Sequence, residues 1–82
     1  MRIIVKNRST GEQLELSFAA FKEKFKTEFA RAYQGFIRYE TKKNAFLPEF
    51  MQKRLTEADF MLSLVWNFNN YACSEWYIIE IR

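Results

Sequence analysis

Hydrophobic and polar residues change their spacing several times along the chain, and each change marks an element. Arg2 to Asn7 opens with the β-branched run Ile3-Ile4-Val5, and Gln13 to Leu16 alternates polar with apolar. Arg8-Ser9-Thr10-Gly11-Glu12 lies between them and carries turn residues, so this region predicts an N-terminal β-hairpin. Ser17 then stands as a helix N-cap, with Leu16 and Phe21 spaced as a hydrophobic staple. Phe18, Phe21, Phe25, Phe29 and Ala32 fall on one stripe at helical spacing, and Phe36 and Tyr39 continue it. One helix from Ser17 through Gly35 to about Thr41 is expected, its Phe stripe facing the core.

Pro48 suits the first turn of a short helix reaching Arg54. Thr56-Glu57-Ala58-Asp59 repeats the start signal as a T-x-x-D box, with Leu55 and Phe60 as the staple. A second long helix, about Glu57 to Tyr71, follows with the stripe Phe60, Leu64, Phe68 and Tyr71. Phe60, Leu62, Leu64, Trp66 and Phe68 also alternate, which is strand periodicity; the capping signal favours the helix. In that helix Leu62 and Trp66 lie off the main stripe, so they are either enclosed on all sides or meet a partner. Trp76 to Ile81 is aromatic and β-branched and reads as a closing strand, most easily paired with the first. The fold class is therefore α+β: a single domain, residues 1–82, with a small antiparallel sheet (the N-terminal hairpin plus the C-terminal strand) packed against two or three helices.

Composition narrows the chemistry. The 82 residues are 49% hydrophobic and include nine Phe, two Trp and four Tyr, but no His and only one Cys. Absence of His removes Ser-His-Asp and Cys-His nucleophile activation and most zinc sites. Cys73, between Ala72 and Ser74, has no second cysteine to pair with and reads as a small packing residue. Two glycines are too few for a phosphate-cradling loop, and the acids show no metal-loop spacing. No catalytic residue, cofactor or metal is expected, and the chain is not read as an enzyme. The first residues do not form a signal peptide, and the longest apolar stretch, Met61 to Trp66, is too short to span a bilayer. The expectation is a complete cytoplasmic protein with no membrane role.

Charge is uneven. Residues 18–43 hold seven Lys/Arg against three Glu, a net +4 within a chain whose formal net charge is +3. On a continuous helix Lys24, Arg31, Arg38 and Lys42 form one stripe beside the Phe face, the footprint of a phosphate-backbone contact. Glu28, four residues after Lys24 and three before Arg31, is placed to neutralise part of it. Trp66-Asn67-Phe68-Asn69-Asn70-Tyr71 interleaves amides with aromatics, which fits either base recognition or a helix terminus. Trp76 and Tyr77 open the last strand and have the apolar body and polar tip of interface anchors; an uncovered edge there would admit a further strand.

The opening hairpin, the F-x-x-F-x-x-x-F-x-x-x-F run from Phe18 to Phe29, and the tail from Trp66-Asn67-Phe68-Asn69-Asn70-Tyr71-Ala72 to Trp76-Tyr77 resemble small uncharacterised proteins of tailed phages and mobile elements of gut bacteria. That resemblance implies a setting, a bacterial host cell and an accessory role in takeover or assembly, and no activity. The reading that follows is a non-enzymatic interaction module. It binds another protein, or itself as a homodimer, through Leu62, Trp66, Trp76 and Tyr77. The alternative is a nucleic-acid-binding accessory protein that sets Lys24, Arg31, Arg38 and Lys42 of the basic helix against phosphates.

Overall fold

The computed structural model describes residues 1–82. Arg2–Asn7 (β1) and Gln13–Ser17 (β2) pair antiparallel with Ile3 opposite Leu16 and Val5 opposite Leu14, so four apolar side chains share one face. Asn7 closes the hairpin: its side-chain oxygen accepts from the N–H groups of Ser9 (2.9 Å) and Thr10 (3.0 Å). Gly11 sits at φ 76°, a conformation that suits glycine, and donates to the Asn7 carbonyl. Trp76–Ile81 (β3) pairs antiparallel with the other side of β1, giving the order β2-β1-β3 with an irregularity opposite Ile4/Val5. β1 is thus the central strand. Ile3 and Val5 join the core, and on the other face the neighbours of Ile4, Glu15 and Glu80, both meet Arg82 (3.5 and 3.0 Å). The hydrogen bond and charge of the Glu80 carboxylate push the Arg82 guanidinium above its ordinary pKa.

Ser17 caps the next element as expected, its hydroxyl accepting from Ala20 N–H at 3.1 Å. The single helix expected from there is bent. It forms Phe18–Lys24 (α1) and Lys26–Ala45 (α2), broken at Phe25 (φ −109°, ψ 36°), and it runs past Thr41 to Ala45. The bend serves the aromatic core. Phe25 reaches both Phe68 (ring centroids 6.0 Å) and Trp76 (5.9 Å), while Phe21 packs on Phe68 at 5.0 Å and Phe29 on Phe60 at 5.2 Å.

Pro48 does not begin a helix reaching Arg54. It precedes one 3-10 turn, Glu49–Met51, after which Gln52 is extended. Phe50 and Met51 have no neighbouring surface to cover, so packing gives a longer helix nothing to gain.

Thr56 opens the second helical region through a complete capping box: Asp59 N–H donates to the Thr56 hydroxyl (3.3 Å) and Thr56 N–H to the Asp59 carboxylate (2.9 Å). The Thr56 hydroxyl also donates to that carboxylate (2.9 Å), and these bonds hold Asp59 below its ordinary pKa of 3.8. A depressed carboxylate adds stability at pH values above its unfolded pKa, and that stability is lost as acid titrates the folded group. Melts followed by circular dichroism from neutral to acid pH should show the midpoint falling below the carboxylate range. Thr56→Ala should cost about 1 kcal/mol at neutral pH and shrink that acid sensitivity.

Residues 57–71 are helical, so the alternating pattern at 60–68 does not signal a strand. The helix divides into Glu57–Leu62 (α3) and Leu64–Tyr71 (α4) at Ser63 (φ −122°, ψ 38°). An unbroken helix would offer Leu64 N–H to the Phe60 carbonyl. Here that carbonyl takes Ser63 N–H (3.2 Å) and the side-chain amide of buried Asn67 (3.1 Å).

The core lies between the helices and one sheet face, with Phe21, Phe25, Phe36, Phe60 and Phe68 against Ile3, Val5 and Ile78. α2 and α4 approach closely at Gly35, where a Cβ would stand 2.7 Å from Tyr71 Cβ. Beside that contact Tyr39 stacks on Tyr71, centroids 5.1 Å apart and rings 20° from parallel. No helix is long and apolar enough to cross a membrane.

Candidate interaction surface

The break at Ser63 leaves two large apolar side chains outside the core. Leu62 is 86% exposed and Trp66, one turn on, 63% exposed. They form a ridge with a cleft on each side. One cleft, about 450 Å³, is mostly apolar and lined by Met61, Val65 and the strand-end Ile81. The other, about 240 Å³, is polar, with Glu40, Lys53 and Asp59 beside Phe36 and Leu55. A ridge of this kind presents a hydrophobic anchor with a charged rim.

Trp76 and Tyr77 are not on that ridge. They sit at the opposite end of β3 from Ile81, half-buried, and are engaged internally: Trp76 with Phe25, and Tyr77 under the Arg8 guanidinium at 4.5 Å. The β3 edge is also occupied at its middle. Asn69 Nδ2 donates to the Ile78 carbonyl (2.9 Å) and Ile78 N–H donates to Asn69 Oδ1 (2.7 Å), so one side-chain amide takes the place of a neighbouring strand.

The other amides are committed too. Asn67 serves the Phe60 carbonyl, and Asn70 donates to the Trp66 carbonyl one turn back (2.8 Å). All three amides of the run thus bond to backbone groups, while Trp66 within it stays exposed. Cys73, expected to pack, is exposed at φ 54°. It follows the helix C-cap Ala72 in the left-handed conformation that ends a helix, and the fully buried Ala72 does the packing.

The four basic residues do not form one stripe. Lys24 belongs to α1, with its ammonium 5.9 Å from the Phe25 ring, and the bend separates it from the three on α2. Arg31 donates to the Ala72 carbonyl (2.7 Å) and so closes the C-terminus of α4. Arg31 and Arg38 line a cleft of about 250 Å³ between α2 and α4, together with Gln34, Asn70 and the stacked tyrosines. Lys42 follows one turn after Arg38. Glu28 forms no ion pair; the salt bridges are Lys43–Glu40, Arg82–Glu15 and Arg82–Glu80.

A second apolar surface escaped the reading of the sequence. Phe46 and Phe50, in the loop after α2, are 88% and 87% exposed, with Leu47 and Met51 exposed beside them. Its signal was available: four large apolar residues around Pro48 that fit neither period, set between Lys42-Lys43 and Lys53-Arg54. No group of three or more His, Cys, Asp or Glu side chains is arranged to hold a metal ion. No family model, curated protein or solved structure matches this chain.

Proposed function

We propose that the protein is a non-enzymatic protein-binding module that pairs with a second copy of itself through the Leu62–Trp66 ridge. The observation that carries this reading is the exposure of a Leu and a Trp one helical turn apart at a helix break, flanked by an apolar cleft. A ridge beside a cleft on one surface is self-complementary about a two-fold axis, the commonest symmetry of homo-oligomers. Sedimentation equilibrium over a wide concentration range should find a reversible dimer of roughly micromolar affinity. The Leu62→Ala/Trp66→Ala variant should be monomeric, with an unfolding free energy within about 0.5 kcal/mol of the parent's at concentrations where the parent is also monomeric. A parent that stays monomeric, or a double variant that unfolds, overturns the reading.

One observation favours a nucleic-acid reading as the second choice: Arg38 and Lys42 follow Arg31 on one face of α2 with no acidic partner. Fluorescence anisotropy against labelled oligonucleotides should then show binding that weakens steeply with salt. Arg38→Glu/Lys42→Glu should lower the salt slope by about one to two units. Arg31 is left intact because it closes α4. No binding at low salt removes this reading.

A further inference from the structure

The loop between α2 and α3 is built, and its construction is directional. Asn44 clamps its neck: its Nδ2 donates to the Lys53 carbonyl (2.9 Å) and its Oδ1 accepts from Lys53 N–H (3.3 Å). Gln52 braces the interior by donating to the Leu47 carbonyl (3.0 Å), and Met51 N–H closes the turn onto the Pro48 carbonyl (2.8 Å). The clamp brings the cations Lys42 and Lys43 at the end of α2 together with Lys53 and Arg54 at the neck. Phe46, Leu47, Phe50 and Met51 all lie in the loop that this neck closes, and all four are exposed. None of these four belongs to the core or packs against it, and the two phenyl rings are almost wholly in solvent. Residues 42–54 hold four cations and one acid, Glu49; outside that stretch Glu40 pairs with Lys43 (3.4 Å) and Asp59 shares a cleft with Lys53, which leaves Lys42 and Arg54 without an ion-pair partner.

We infer that this loop is a membrane-surface anchor that seats its phenyl rings at the headgroup–acyl boundary of an anionic bilayer, with the neck cations on lipid phosphates. Exposed apolar rings in a loop closed by a cationic neck match the layering of such an interface, where apolar depth lies beneath negative charge. Other occupants fit less well. A second copy docked tip to tip would set Lys42 and Arg54 against the same cations of its partner, which is repulsive. A helix-binding groove reads apolar residues at helical spacing, whereas these straddle a proline and a single 3-10 turn. Adsorption of this kind needs no spanning segment, so it departs from the expectation of no membrane role while agreeing with the absence of a spanning helix. It makes no use of Leu62 or Trp66, although Lys53 also lines the polar cleft beside them.

The test is co-sedimentation of the full chain with phosphatidylglycerol/phosphatidylcholine vesicles and with pure phosphatidylcholine vesicles, from low to physiological salt. Binding to the anionic vesicles is expected, markedly weaker on phosphatidylcholine and weakened by salt. Phe46→Ser/Phe50→Ser should reduce the partition coefficient by roughly tenfold or more with an unchanged melting midpoint. Lys53→Glu/Arg54→Glu should abolish the preference for anionic lipid. Leu62→Ala/Trp66→Ala should bind as the parent does, which separates this inference from dimerisation. Absence of binding to anionic vesicles at low salt overturns it. So does full binding by the Phe46→Ser/Phe50→Ser variant, which would make the attraction one of charge alone.

Discussion

Asn67→Ala should lower the thermal midpoint by roughly 10–20 °C, about 2–3 kcal/mol for a domain of this size. Asn67 is buried and its amide is the partner of the Phe60 carbonyl where α3 passes into α4. Removing the amide leaves that carbonyl with only the Ser63 N–H of a tight turn, in a region closed to water. Asn67→Asp gives a sharper comparison. Its carboxylate cannot donate, and its oxygen would face the carbonyl, so at neutral pH it should be at least as destabilising as alanine. Burial raises the pKa of such an acid, so the protonated form gains stability as pH falls, and its O–H can then donate to Phe60. The variant should therefore recover part of its midpoint in mild acid, whereas Asn67→Ala should not. Equal midpoints for the parent and Asn67→Ala would show that the break at Ser63 does not depend on the amide.

Gly35→Ala should destabilise by a net of about 1–2 kcal/mol, although alanine is the better helix former by about 1 kcal/mol. The added methyl would meet Tyr71 Cβ at 2.7 Å, an atom fixed to the α4 backbone that no rotamer can move away, and Cγ at 2.9 Å. α2 and α4 must part, and the Tyr39–Tyr71 stack and the Arg31–Ala72 bond lie beside the contact. Near-UV circular dichroism should report the loosened tyrosine pair, and chemical denaturation the loss of stability. A stabilised Gly35→Ala variant would mean that the helices do not touch there.

Local chemistry made much of the fold legible. Ser17 and the Thr56–Asp59 box announced two helix starts because their side chains bond to backbone within three residues. The Phe21-to-Phe36 stripe declared its buried face by spacing, and the β-branched Ile3-Ile4-Val5 run declared a strand but not which side of it faces the core. What the sequence hid depends on contacts distant along the chain. Phe25 and Ser63 carry no breaker chemistry; the helices bend there because Phe68 and Trp76 must be reached in one case and Asn67 repairs the exposed carbonyl in the other. The sequence offers no reason for Gly35 inside a helix, and only the position of Tyr71 shows that a side chain there would meet α4. The candidate surface was half visible. Leu62 and Trp66 stood out for leaving their stripe, while Trp76 and Tyr77 found partners in Phe25 and Arg8, which no local pattern connects to them.

The central position of β1 also sets an order of events when the chain is made. β1 and β2 can close as soon as the hairpin has emerged, but β3 pairs with residues about 70 positions earlier, after all four helices have been synthesised. Until then Ile3, Ile4 and Val5 present an open strand edge of high β propensity. Closing that edge is the slow, long-range step of folding, and it is the interval in which nascent chains are most prone to associate wrongly. All four helices lie between the two strands in the chain, so their packing against one another shortens the loop that β3 must close to reach β1.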